Sequence, residues 1–243
     1  MKIGIIGAGE MGSRLTAKLI KLGNTVSIAN SRGPASLQQL AVDLGAEAVT
    51  VEEAIEDKNV IVISIHQKFV QDLPQTLFRN LPEEVVIIDT GNYFPSLRGG
   101  TIPALDESGI DSLWVQEQIG FPVVKVFNSM LATSLHDKSR VKGDKDRVAL
   151  PISGDYPSSK GVVFRLVDEL GFDPFDVGTI AESWKQQPGS SIYCRDIRIE
   201  ELKKRIGAMG TWSSMREVII GNRKANEILM KADYPAYLKG LQV

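Results

Sequence analysis

A single cysteine, Cys194, leaves no partner for a disulfide within this chain of 243 residues. Two histidines, His66 and His136, are too few to build a Cys/His zinc cage with that thiol. Charge of one sign is also lacking: 28 Lys+Arg face 30 Asp+Glu, a net of −2. Without a concentrated basic face, nucleic acid is not an expected partner. No run approaches the ~20 apolar residues needed to span a bilayer. The apolar start is broken by Gly4, Gly7, Gly9 and Glu10, which favours a strand from residue 2 over a leader segment. Nothing demands an oxidising compartment, so the expectation is a cytoplasmic protein with no membrane partner. What is present, 43% hydrophobic and 24% charged residues, is an ordinary globular composition.

Short β-branched runs alternate with amphipathic stretches, the pattern of an α/β protein with a mostly parallel sheet. Strands are expected at 3–6, 25–29, 60–63, 85–88, 123–126 and 148–153. Helices are expected at 10–22, where Leu15, Leu19 and Leu22 share a face, and at 158–170. Another begins at Pro34 and stops near Gly45. Thr50 and Glu53 have the spacing of a capping box for a short helix. The stretch 91–111, rich in Gly, Pro and Ser, reads as a surface connection, and 137–147 as a solvated charged loop. After Gly178 only helical patterns remain, at 199–209 and 213–232. This predicts a dinucleotide-binding domain at 1–178 and a small helical domain at 179–243.

Gly7, Gly9 and Gly12 fit G-x-G-x-x-G directly after the first strand, with Glu10 and Met11 opening the helix that follows. Gly7 permits the turn, Gly9 a close backbone approach to a diphosphate, and Gly12 tight helix–strand packing. The helix N-terminus adds unpaired N–H groups and a positive dipole end. The second strand ends in Asn30-Ser31-Arg32, where an NAD site places a carboxylate for the ribose 2′-hydroxyl. A guanidinium at Arg32, with Asn30 and Ser31 as donors, suits a 2′-phosphate, so the expected cofactor is NADP(H). Ligands of open α/β sheets sit at the carboxyl ends of strands, which brings in Ile65, His66, Asn92, Asn128 and Met130.

With these pieces placed, the chain resembles NADP-dependent oxidoreductases of the coenzyme F-420 (deazaflavin) type. Similar domains occur in ferric reductases of the six-transmembrane epithelial antigen type. The resemblance is carried by IGIIGAGEMG at 3–12, NSRGP at 30–34, VISIHQKFV at 62–70, VIIDTGN at 86–92 and VVKVFNSM at 123–130. A block at 151–178 and QQPGSSIYC at 186–194 add to it. It implies a Rossmann-type domain followed by a small helical one. The implied reaction is hydride transfer between NADP(H) and a flat ring, a flavin or deazaflavin, commonly in a homodimer. It also places Ser64, Ile65, His66, Asn92, Asn128 and Met130 along the cofactor. Deazaflavin-using relatives often carry His where Asn128 stands and Arg where Trp184 stands.

Such a transfer needs two rings held face to face away from water rather than acid–base machinery. Asn128 is expected to orient the rings as a catalytic residue, with Met130 and Trp184 as apolar walls, Trp184 on the acceptor side. Were the acceptor a small carbonyl or imine instead, a proton donor would be required, and His66 is the catalytic candidate. A third reading is an NADP(H)-sensing module without catalysis. Tyr156 and Lys160 copy a Tyr-x-x-x-Lys catalytic pair, but Pro157 places Tyr156 at the helix cap. Cys194 lacks a His partner and is not expected to be a nucleophile. His136 reads as a surface residue, and no metal site is expected.

Overall fold

The β-branched runs form strands β1 (Lys2–Ile6), β2 (Thr25–Ala29), β3 (Glu47–Ala48) and β4 (Val60–Ile63). Strands β5 (Val86–Asp89), β6 (Val123–Lys125), β7 (Ala149–Ser153) and β8 (Asp173–Gly178) complete one sheet. Between them lie helices α1 (Glu10–Lys21), α2 (Gln38–Leu44), α3 (Gln75–Arg79), α4 (Pro103–Ser108) and α5 (Asp111–Ile119). Then come α6 (Ala132–Asp137), α7 (Pro157–Glu169), α8 (Ile199–Gly207), α9 (Trp212–Ala232) and α10 (Tyr234–Leu241). This computed structural model describes residues 1–241. No helix among them is long and apolar enough to cross a membrane.

The strand order is β3-β2-β1-β4-β5-β6-β7-β8, parallel except where β6 meets β7. From β1 the chain builds outward through β2 and β3, then returns to add β4 on the other side. That reversal opens a crevice at the carboxyl ends of β1 and β4. Both faces of the sheet are covered. Ile3, Ile5, Val60 and Val62 pack with Leu15 and Leu19 of α1, while Ile61 and Ile63 pack with Phe78, Trp114 and Ile119. Burial on two sides is why these strands read as unbroken apolar runs rather than alternating ones.

Several expectations need correction. The 91–111 stretch is not a surface connection: Tyr93, Phe94, Leu105 and Ile110 are buried, and it contains α4. Its polar residues are bound by α9, more than a hundred positions away. Arg216 donates to the Asp106 and Glu107 carbonyls at 3.1 and 2.9 Å, and Glu227 accepts from the Ser96 amide at 2.8 Å. Thr50 and Glu53 do exchange their capping bonds, at 2.8 and 3.2 Å, but the chain after them forms turns, not a helix. The 137–147 segment is not all solvated. Arg147 is buried and pairs with Asp168 and Asp173 at 2.8 and 3.3 Å. Strand β8 was masked by Pro174, which an edge strand tolerates because one side of it needs no ladder bonds.

The carboxyl ends of β5 and β6 are joined by a buried ion pair. Lys125 Nζ lies 2.9 Å from Asp89 Oδ2, with both side chains no more than 1% exposed. Ser112 also donates to Asp89 Oδ2 at 2.7 Å, and the Gly91 amide to Oδ1 at 2.8 Å. Removing one partner of such a pair strands a charge in the interior. Lys125→Met should lower unfolding stability by about 3–5 kcal/mol in urea titrations, and Lys125→Met with Asp89→Leu by less. A double variant as unstable as the single one contradicts this account.

Candidate active site

The crevice predicted by the strand order is a cleft of about 920 Å3 bordered by the ends of β1, β2 and β4. It is lined by Gly7, Gly9, Asn30, Ser31, Arg32, Ser64, Ile65 and His66. Gly7 has φ +114°, and a Cβ there would fall 2.1 Å from the Ser64 carbonyl oxygen. Gly12 does not line the cleft but lies beneath it: its Cβ would sit 1.9 Å from the Gly7 oxygen. Gly9 differs, since a Cβ there would meet nothing within 4 Å. The space in front of Gly9 is open, and no side chain caps the N-terminus of α1 behind it. Unpaired N–H groups facing open space form an anion cradle.

The β2 end is shaped by its own hydrogen bonds. Asn30 Oδ1 accepts from the Arg32 amide at 2.8 Å, and its Nδ2 donates to Ser36 at 3.0 Å. This turn leaves the Arg32 guanidinium without an ion pair among the described residues. A cation with no carboxylate at the strand end fits a 2′-phosphate, so the residues present suit NADP(H).

A second cavity, of about 240 Å3, adjoins the cleft and shares Gly9, Ser64, Ile65 and His66 with it. Glu10, Met11, Asn92, Asn128 and Met130 line it. Phe127, beside Asn128 at the β6 end, lines it too, and part of the wall was not foreseen: Phe94, Arg98, Tyr193, Cys194, Met230, Tyr234 and Tyr237. Tyr193 sits inside the QQPGSSIYC block, which marked the region but not its role. Nothing pointed to Tyr234 and Tyr237, because α10 itself was not expected.

Two site assignments change. Trp184 does not wall the acceptor side. It is 1% exposed, lines neither cavity, and packs 5.6 Å from Trp212 in a cluster with Ile110 and Ile219. Its size and apolarity made it useful as the joint between α9 and the 91–111 segment. Asn128, expected to orient the rings, has both amide donors spent inside the protein. Nδ2 donates to the Gln186 carbonyl at 2.8 Å and to Asn92 Oδ1 at 3.2 Å, while Oδ1 accepts from Gln186 Nε2 at 2.9 Å. It braces the strand ends. Gln187 extends the clamp by donating to the Gly109 carbonyl at 2.8 Å and accepting from the Asp111 amide at 3.2 Å.

Four titratable groups of the cavity, His66, Tyr193, Cys194 and Tyr237, are held neutral. Burial lowers the pKa of His66, helped by the nearby Arg98 and Lys68 cations, so its imidazole is uncharged at neutral pH. Burial pushes the Cys194 thiol up to about 12, which removes it as a nucleophile. Burial also raises Tyr193 and Tyr237, whose hydroxyls keep their protons. Tyr156 and Lys160 are not a catalytic pair here. Tyr156 is half exposed, and Lys160 is bonded to both Asp176 oxygens at 2.9 and 2.8 Å, outside both cavities. His136 is exposed, 2.7 Å from Asp137. No metal-holding cluster of His, Cys, Asp and Glu occurs among the described residues.

Residues 2–93, which carry the glycine turn, the β2 end and the 64–66 loop, match the family described as NADP oxidoreductase, coenzyme F420-dependent. Putative protein YjhV of Escherichia coli K12 is 32% identical over 38% of this chain and 82% of its own length. Human metalloreductase STEAP2 is 28% identical over 74% of this chain, which spans about a third of that protein, 34%. The crystal structure of a hypothetical protein from Sinorhizobium meliloti is 28% identical with a TM-score of 0.66. It covers 81% of this chain and 95% of its own.

Because the Gly9 position is open, Gly9→Ala should fold with an unchanged melting midpoint and still lose NADPH affinity by about tenfold or more in titration calorimetry. Undiminished affinity would move the diphosphate elsewhere. Arg32→Asp should weaken NADPH by about 10–100-fold and leave NADH nearly unaffected, the measure of a lost charge-assisted contact. Equal losses for both nucleotides would exclude the 2′-phosphate role.

Proposed function

The chain belongs to the family of coenzyme F420-dependent NADP oxidoreductases, and for this NADP-dependent oxidoreductase we propose hydride transfer between NADP(H) and a flavin or deazaflavin-like ring in the second cavity. The supporting observation is continuity: the open glycine cleft runs into an aromatic-walled cavity across the shared residues Ser64, Ile65 and His66. When bound, NADPH supplies the hydride. The turn at Gly7, Gly9 and Gly12, with the N–H groups of Glu10 and Met11, holds the diphosphate. Asn30, Ser31 and Arg32 hold the 2′-phosphate. Ser64, Ile65, His66, Asn92, Asn128 and Met130 flank the nicotinamide end.

The chain's own work is positional. Asn128, locked by Gln186 and Asn92, keeps the β5 and β6 loops apart at fixed width. Phe94, Tyr193 and Tyr237 displace water and offer flat walls. A neutral His66 is a poor acid, which suits a transfer that needs no proton at that atom. A second reading, reduction of a small carbonyl or imine, requires a proton donor; burial makes Tyr193 and Tyr237 weak acids as it makes His66 a neutral one, so ring transfer fits the cavity better. We extend the main reading to a cytoplasmic homodimer, with Val218 and Ile228 (51% and 69% exposed on α9) as apolar contacts. The working division remains a cofactor domain to residue 178 and a helical part after it.

NADPH oxidation followed by absorbance against FMN, riboflavin, a deazaflavin, small ketones and cyclic imines tests the proposal. Turnover confined to the ring acceptors is expected. Turnover confined to ketones or imines selects the second reading, and tight NADPH binding with no oxidation by any acceptor makes the chain a sensor.

A further inference from the structure

We propose that Arg98 and Lys68 form an anion subsite at the mouth of the second cavity, so that the acceptor carries a phosphate or carboxylate beside its reducible ring. The proposal rests on the ring-acceptor reading above and names the class of acceptor. Arg98 lines the cavity from an exposed position, its guanidinium 5.4 Å from the centre of the Phe94 ring. Lys68 Nζ lies 4.6 Å from the Phe69 ring centre. Lys68 lies against the backbone beside Arg98 because Gly99, the next residue, has no side chain. With φ +109°, a Cβ there would fall 2.0 Å from Lys68 Cδ and 2.7 Å from its Nζ. The Lys68 stem occupies the space a side chain would take.

Neither Arg98 nor Lys68 has an ion pair among the described residues. Glu227, the carboxylate that reaches this loop, is tied to the Ser96 amide. Two cations without a carboxylate partner at one cavity mouth make that mouth attractive to an anion. The cations act on the shared wall of the two cavities, since both disfavour protonation of His66. Aromatic faces beneath a guanidinium and an ammonium hold them without neutralising them. A planar fork at Arg98 matches the paired oxygens of a phosphate or carboxylate. Tyr234 and Tyr237, which line the same cavity, lie stacked at 6.0 Å and offer a flat surface for a ring. On the reading above the NADP(H) phosphates have partners of their own: the diphosphate at the Gly9 turn and the 2′-phosphate at Arg32, which lines the cleft and not the second cavity.

FMN and riboflavin share one ring system and differ by a phosphate, so they isolate the subsite. NADP⁺-loaded protein is titrated with each by calorimetry, and both are then assayed as acceptors with NADPH. FMN should bind at least about tenfold tighter than riboflavin, the measure of one charge-assisted contact. Arg98→Gln with Lys68→Gln should abolish that preference, leave the NADPH dissociation constant and melting midpoint unchanged, and raise the His66 titration midpoint by NMR. Equal binding of the two flavins, a preference that survives the double substitution, or a loss of NADPH affinity instead would each overturn the subsite. Equal binding with good turnover of both leaves the ring-acceptor reading standing alone. Preferential FMN binding without reduction supports the subsite and removes the ring-acceptor reading. Binding of neither flavin removes both.

Discussion

Asp89 and Lys125 sit at the ends of adjacent strands with essentially no exposure to water, and the site is arranged around them. A carboxylate and an ammonium in the interior are stable only if their remaining bonding capacity is met. Here it is met by Ser112 on α5 and by both the amide and the carbonyl of Gly91. The pair therefore fixes where β5 turns into its loop, where β6 ends, and how α5 lies against both. Gln186 then reads out the same strand ends. Its Nε2 lies within bonding distance of the Lys125 and Pro151 carbonyls at 3.3 and 3.1 Å, and its Oε1 accepts from Ser153 at 2.9 Å. Asn128 is held by that glutamine, so the width of the second cavity is set by a polar chain that starts at the ion pair.

The C-terminal helices complete the cavity rather than stand beside it. Asp111 is buried and accepts from the Tyr93 amide at 3.0 Å, while Arg223 of α9 lies 3.8 Å from its other oxygen and 4.8 Å from the Tyr93 ring. Burial raises the Asp111 pKa and the Arg223 charge opposes that rise. These contacts anchor α9 across the 91–111 segment, and the end of α9 delivers Met230 and then α10 with its two tyrosines to the cavity mouth. Helix packing alone would leave α10 free to slide. The Phe94–Tyr193–Tyr237 cluster gives it an apolar seat.

What could be read from the sequence follows from the range of the interactions. The glycine turn and the β2 end are local: a few consecutive residues decide both, and their reading needed only a strand before and a helix after. The two-sided burial of β1, β4 and β5 was likewise written in continuous apolar runs. The aromatic wall of the second cavity was not, because it joins residue 94 to residues 193 and 237. Asn128 and Trp184 show the limit most clearly. Their chemistry suggested ring contacts, yet partners far away in sequence, Gln186 and Trp212, claimed them for structure. Lys125, set within VVKV, was a visible anomaly, since a lysine in a buried strand must have a partner. It was legible as a strand residue and not as the counter-charge to Asp89.

Backbone strain points to the same place as the chemistry. Phe127 and Cys194 have φ of +63° and +54°, a conformation costly for residues with a Cβ. Both line the second cavity. Each carries a cost on the order of 1–3 kcal/mol that the surroundings must offset. For Cys194 part of the offset is visible: its amide donates to the Ser129 carbonyl at 2.8 Å, tying the 193–194 turn to the end of β6. The residues next to these sharp turns, Tyr193 and Asn128, line the same small space. Stability is given up at the wall of the second cavity, next to strand ends that the buried pair holds in place.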